Sequence, residues 1–302
     1  MPHYDLCLAW NWEYDRDFVH RLEAACQRIG LTFFSVTPEN LDSTLVGLSS
    51  KEISFAAFLD RASESDPCFA LLMERVVQSH VFRINPQELT VWSADKATMH
   101  LEFVNRSLDT PYTILLSPAN EQPCLPSLDL SLLGGQFAIK PASLGGGEGV
   151  VLQATSLEQV LSVRQQYPYE KYLLQAQVTP QMLDDRPAWF RVLVCDGAVY
   201  PCWWDQHTHV YSRLTSEERF RFGLHNLYEV SRRIAQVCRL DLFSTEITQT
   251  AEGFFLVVDY VNDPLDLRPQ SKNADGVPDA IVENITGRLA RLAERNIRSR
   301  ET

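Results

Sequence analysis

Residues 137–152 read FAIKPASLGGGEGVVL, two apolar strand-like segments joined by a loop with four glycines and entered through a lysine and a proline. Gly145, Gly146, Gly147 and Gly149 carry no Cβ. Their backbone can take positive φ, and their N–H groups can come close to a phosphate. Lys140, on the strand entering the loop, brings an ammonium toward the same oxygens. The plain alternative is a flexible hairpin tip. Two common phosphate-binding motifs are excluded: GxxxxGK[ST] is absent, and neither GxGxxG nor a following helix is present.

The text on either side is of two kinds. Before residue 118 apolar runs alternate with helical patterns: YDLCLAW (4–10), a helix over 15–30 with Asp15 as its N-cap and Gly30 as its stop, LTFFSVT (31–37), EISFAAFLD (52–60), a helix over 66–80, VFRIN (81–85), a helix over 93–107 capped by Ser93, and TPYTILLS (110–117). That alternation predicts a parallel α/β sheet. Residues 118–135, rich in proline, form a connector. Beyond them the pattern is α+β: a strand over KYLLQAQVT, a hairpin turned at Asp196-Gly197, the longest helical pattern at 216–240, a second hairpin over 242–263 and a closing helix over 279–298.

The chain of 302 residues has a formal net charge of -12 and is 45% hydrophobic. A negative bulk field argues against nucleic-acid or anionic-membrane partners, and a polyanionic ligand would need local cations. Lysine is scarce: Lys51, Lys96, Lys140, Lys171 and Lys272 are the whole set, so a lysine beside a glycine loop is informative. No apolar run is long enough to span a bilayer, and no secretory signal is visible. The seven cysteines are scattered without C-x-x-C spacing, which predicts reduced thiols in a cytoplasmic protein.

Strand, Lys-Pro, glycine loop, Gly-Val, strand resembles the nucleotide-covering loop of the ATP-grasp superfamily, in its carboxylate–amine ligase branch of RimK and glutathione-synthetase type. Other segments resemble the family in the same order. INP (84–86) followed by Asp95-Lys96 looks like the segment whose lysine contacts nucleotide phosphates. YLLQAQV (172–178) looks like the hinge whose backbone reads adenine, here Gln175, Ala176 and Val178. FRVLVCDGAVY (190–200) looks like the strand pair whose arginine, Arg191, faces the phosphates or the acyl intermediate. FFLVVDYVND (254–263) looks like the metal-binding strand.

The resemblance covers roughly residues 84–298. It implies an N-terminal α/β domain (1–92) and an α+β ATP-grasp domain in two subdomains (93–178 and 179–302) that clamp Mg-ATP. Glu246, Asp259 and Asn262 are the implied Mg²⁺ ligands, all oxygen donors as that ion prefers. The resemblance also implies a small-molecule carboxylate and nucleophile as substrates, no nucleic acid or membrane partner, and admits a homodimer.

The chain departs from the family at three places. The usual metal spacing is acid-x-Asn, but Tyr260 holds the acid position and Asp259 stands one residue earlier. A β-bulge restores its aim; otherwise Asp263 or Asp266 is the ligand. The hinge has Gln175-Ala176-Gln177 where a glutamate is frequent. Trp189 stands where an aspartate is common, which moves ribose recognition to Asp184 or Asp185.

Arg268 is read either as stabilising transferred charge or as a surface salt bridge. Strand ends of open α/β sheets line ligand sites, so Asn11, Glu13 and Arg61 are substrate-side candidates. His207 and His209 are two histidines without further ligands, and read as exposed polar residues. The expected activity is ATP-dependent ligation through an acyl phosphate. The alternatives are a kinase of the same fold and a non-catalytic nucleotide-binding protein.

Overall fold

The computed structural model describes residues 2–301. Its first layer is built from β1 (His3–Trp10), α1 (Arg16–Arg28), β2 (Phe33–Val36), α2 (Leu41–Ser49), β3 (Ser54–Arg61), α3 (Ala70–Gln78) and β4 (Phe82–Ile84). The four strands pair in the order β2-β1-β3-β4, all parallel. Both faces are covered, as a parallel sheet requires. Leu6, Leu8 and Leu59 pack with Phe18 and Leu22 of α1 and with Val282, Ile285 and Leu289 of the C-terminal helix. Cys7, Ala9 and Phe58 pack on the other side against Leu41, Phe69 and Leu72.

The helix expected over 93–107 is α5 (Lys96–Asn105), and a separate helix not read from the sequence, α4 (Gln87–Ala94), precedes it. The cap of α5 is Asp95, not Ser93. Asp95 is extended, and its carboxylate accepts from the Thr98 N–H at 2.7 Å. Ser93 lies in the last turn of α4 and turns its hydroxyl back to the Thr90 carbonyl. A carboxylate at the helix start also complements the helix dipole.

β5 (Thr113–Leu116), β6 (Phe137–Pro141), β7 (Val151–Ala154), α6 (Leu157–Gln166) and β8 (Tyr172–Ala176) form an antiparallel sheet in the order β5-β8-β6-β7. Phe137, Ile139 and Leu174 bury one face against Val160 and Val163 of α6. Arg164 is buried with them. Its guanidinium donates to the Ser117 and Gln122 carbonyls at 2.7 and 3.0 Å, pinning the connector's start.

A short pair, β9 (Met182–Leu183) and β10 (Arg186–Pro187), precedes the third sheet. That sheet contains β11 (Trp189–Cys195), β12 (Ala198–Trp204), β13 (Tyr211–Arg213), β14 (Leu242–Gln249) and β15 (Phe255–Asn262), in the antiparallel order β13-β12-β11-β14-β15. The helical pattern at 216–240 is divided into α7 (Ser216–Arg221) and α8 (Asn226–Cys238). Gly223, at φ +65°, lies in the turn between them. The longest helix is instead α9 (Asp279–Glu301), which packs between the first and third sheets. All seven cysteines are free. No helix among the described residues is long and apolar enough to cross a membrane.

One side chain joins the first sheet to the third. Asn85, just past β4, donates to the Leu242 carbonyl (2.6 Å) and to Asp263 Oδ2 (2.9 Å), while its Oδ1 accepts from the Asp241 and Leu242 N–H groups. Removing it strands buried backbone groups at the start of β14. Asn85→Ala is expected to cost about 3 kcal/mol in urea unfolding. A loss under about 1 kcal/mol would remove this clamp from the explanation of how the layers stay aligned.

Candidate active site

Alternation along β6 buries Phe137, Ile139 and Pro141 and turns Lys140 to the opposite face. There its ammonium donates to Gln175 Oε1 on β8 (2.7 Å) and to the Val258 carbonyl on β15 (2.9 Å). Lys96, the first residue of α5, donates from Nζ to the Leu144 carbonyl (2.7 Å). Its own N–H bonds the Ala142 carbonyl. Lys96 therefore holds the base of the glycine loop from α5, while Lys140 ties the strand that enters the loop to β8 and β15.

The loop itself is exposed. Gly146 and Gly147 have φ of +60° and +80°, and among the described residues nothing accepts from the Gly145, Gly146 or Gly147 amides. Gly149 is fixed for a different reason. A Cβ there would lie 2.8 Å from the Pro141 ring and 3.0 Å from Tyr167.

β14 and β15 supply the acids. Ser244 pairs with Asn262, and Glu246 with Asp259, so three steps along β15 oppose two along β14. This is a β-bulge. It swings Asp259 beside Asn262, whose amide donates to Asp259 Oδ2 at 3.0 Å. In a regular strand these two side chains would point to opposite faces. Tyr260, at the position where an acid is usual, is buried on the other side against Phe103 and His100.

Arg191, opposite Glu246 on β11, donates to Glu246 Oε1 at 2.8 Å and lies over the Trp204 ring. Trp189 donates its indole N–H to Glu246 Oε2 at 3.0 Å. Trp189 and Arg191, two apart on one strand, share a face. That spacing was the signal for its contact with Glu246.

The electrostatics follow from this packing. Burial raises Glu246 above the ordinary carboxylate range and Asp259 adds to that, while Arg191 acts against both. Burial also works to raise Asp259, but Lys140, Lys96, Arg191 and the Asn262 amide outweigh it and hold it low. Burial lowers Lys140, and Lys96 pushes the same way; Asp259 and Glu246 oppose them. Like charges directly across a sheet repel, and Arg191 and Lys140 are the cations set against the Glu246–Asp259 pair. Among the described residues no three His, Cys, Asp or Glu are grouped as a metal site. Two carboxylates with an amide oxygen suit a hard cation that takes its other ligands from phosphate and water.

The hinge carries Gln175, buried, then Ala176 and Val178, which border a cleft of about 360 Å³ also lined by Tyr112, Pro180 and Leu256. Asp184 lies in the β9–β10 turn and pairs with Arg221 at 2.7 Å, both exposed. Arg268 is held by Asp266 (2.7 Å) and Asp275 (2.8 Å) and lies over Trp12, so its guanidinium is engaged as an ion pair. His207 and His209 lie exposed in the loop after β12, His209 stacked on Trp204.

Asp15 does not cap α1. It is buried and receives Arg61 Nε and Nη2 at 2.8 and 2.7 Å. Arg61 is thus turned inward over the Phe18 ring, and its buried Nη1 has no hydrogen-bond partner. An arginine buried at a strand end needs a carboxylate, and that demand displaces the capping role. Asn11 reaches Ser65 at 3.3 Å, and Glu13 is exposed in a single 3₁₀ turn. Asp15→Ala is expected to cost about 3–5 kcal/mol in thermal or urea unfolding, and Asp15→Leu combined with Arg61→Met to recover most of it. A double variant no more stable than Asp15→Ala would contradict the pairing as the reason for this geometry.

No protein-family model matches the chain, and no curated protein matches its sequence. Solved structures match it over nearly its whole length. The D-alanine–D-alanine ligase from Bacillus anthracis, complexed with ATP, has a TM-score of 0.66 at 10% identity and covers 99% of both chains. The RimK domain ATP-grasp protein from Sphaerobacter thermophilus has a TM-score of 0.64 at 17% identity, over 95% of this chain and 98% of that one. The D-cycloserine synthetase DcsG has a TM-score of 0.61 at 18% identity, over 96% and 99%. Together with the glycine-loop hairpin facing a bulged acid-bearing strand, this likeness establishes that the chain has the ATP-grasp fold.

Proposed function

We propose that this protein is an ATP-dependent ligase that activates a carboxylic acid as an acyl phosphate for attack by an amine or another nucleophile. The observation that carries this reading is the convergence of Lys140, Lys96 and Arg191 on the Glu246–Asp259–Asn262 group beneath an exposed glycine loop. The likeness to ligases of this fold supports it further. We read residues 1–92 as the acid-binding side and residues 93–178 and 179–302 as the two jaws around the nucleotide.

In this reading the free amides of Gly145, Gly146 and Gly147 cover the phosphates. Lys140 and Lys96 neutralise them, and the hinge backbone from Gln175 to Val178 meets the adenine edge. Glu246, Asp259 and Asn262 would hold Mg²⁺, which offsets charge on the phosphate oxygens during transfer. The substrate carboxylate attacks the γ-phosphorus, ADP leaves, and the acyl phosphate forms. Arg191, held by Glu246, is directed at the charge that develops. The nucleophile then displaces phosphate. No covalent protein nucleophile is required.

Incubation with ATP, Mg²⁺, a panel of carboxylic acids and hydroxylamine tests the reaction class. An acid-dependent hydroxamate with ADP release is the expected result. A stable phosphorylated product without hydroxamate would replace the ligase reading with a kinase. ATP binding with neither product over the panel would oppose catalysis.

A further inference from the structure

The Lys140 ammonium is one end of a buried chain of side chains that runs through four elements. Lys140 Nζ donates to Gln175 Oε1 (2.7 Å), Gln175 Nε2 reaches Tyr260 Oη (3.1 Å), and Tyr260 Oη reaches His100 Nδ1 (2.8 Å). Gln175, Tyr260 and His100 are 3%, 2% and 7% exposed, so bulk water does not compete for these bonds.

The direction of the first two bonds in the chain follows from its first member. An ammonium has donors and no acceptor, so Gln175 must turn its carbonyl oxygen to Lys140. Its NH₂ is then the group facing Tyr260, and the phenol oxygen accepts from it. A phenol proton given to His100 makes Nδ1 the unprotonated acceptor and puts the ring proton on Nε2. Burial of His100 favours that neutral ring. Lys140 uses a second N–H on the Val258 carbonyl. With two of three donors fixed, one remains, and its direction is set.

We propose that His100 and Tyr260, acting through Gln175, are positioning residues that fix the Lys140 ammonium so that its one remaining N–H meets a nucleotide phosphate. This rests on the reading of the site as an ATP site. It accounts for the tyrosine in place of an acid. The bulge hands the metal-facing position to Asp259, and Tyr260 on the opposite face becomes the link to α5. His100 lies one helical turn beyond Lys96, so a single helix orients both lysines, one directly and one through the chain.

Two measurements test this. The first needs no nucleotide: long-range ¹H–¹⁵N correlation spectra of the imidazoles, with the His100 signal assigned by loss in His100→Gln. The expected result at neutral pH is a neutral ring protonated at Nε2. A ring protonated at Nδ1 would overturn the chain's direction, and the proposal with it.

The second is a cycle of ADP affinities for wild type, Tyr260→Phe, Lys140→Ala and the double variant. The phenylalanine keeps the ring that packs on Phe103. Tyr260→Phe is expected to weaken ADP by about 5- to 10-fold when Lys140 is present and by less than about 2-fold when it is absent. Equal losses in both backgrounds, or none in either, would overturn the positioning role. If wild type itself binds no ADP, the ATP-site reading fails, and the phosphate-directed role of the chain fails with it.

Discussion

Asp259→Asn is expected to lower turnover by about 100- to 1,000-fold, the range for removing one designed charge contact from a transition state. The substitution keeps side-chain size and removes the negative charge on which Lys140, Lys96 and Arg191 act. It also relieves the repulsion with Glu246 across the sheet. The same cations that hold the Asp259 carboxyl low lose their partner, so stability is expected to fall as well; in protein still folded, activity is expected to collapse and its Mg²⁺ dependence to shift to higher concentration. The neighbouring acid gives the contrast. Asp263 accepts from Asn85 and Thr90, and burial pushes its carboxyl up to about 6. Asp263→Asn is expected to leave turnover within about tenfold of wild type. Assays of ADP release against Mg²⁺ for the two variants decide between them. The opposite ranking would transfer the metal-ligand role from Asp259 to Asp263.

Lys140→Ala is expected to weaken ATP binding by about 10- to 100-fold in calorimetry, the worth of a charge-assisted hydrogen bond to phosphate. The same change removes a buried cation from beside Asp259 and Glu246, so stability falls as well. Affinity must be measured well below the variant's unfolding temperature. A folded Lys140→Ala protein with wild-type affinity for ATP would end the assignment of this lysine.

Much of the fold is legible in the residues. The alternation of apolar runs before residue 118 yields the parallel layer, and Asp196-Gly197 joins β11 to β12 where a hairpin dipeptide should. The errors occur where local rules compete. Ser93 and Asp95 are both good caps, and the carboxylate nearer the Thr98 amide takes the role. Asp15 has a cap's spacing, but an arginine from β3, distant in sequence, claims its carboxylate. Helical periodicity continues across 216–240, yet Gly223 breaks it.

The motif order singles out Lys140, Lys96, Arg191, Glu246, Asp259 and Asn262 as candidates, and in the structure these six lie around one sheet junction. The partners of these groups are only partly legible. Trp189, Asn85 and His100 act through contacts more than fifty residues away in sequence; the spacing to Arg191 marks Trp189 and the INP segment contains Asn85, but no local pattern marks His100. Asp259 is the intermediate case. Its one-residue offset from the family spacing announces a bulge, but only the strand pairing shows which way the side chain turns.

Titration of the protein with a non-hydrolysable ATP analogue, with and without Mg²⁺, tests the placement of a nucleotide under the glycine loop most directly. Binding of one equivalent that strengthens with Mg²⁺ in wild type, loses that Mg²⁺ effect in Asp259→Asn and weakens in Lys140→Ala is the expected result. Folded wild-type protein that shows no saturable binding, or binding that neither substitution alters, would contradict it.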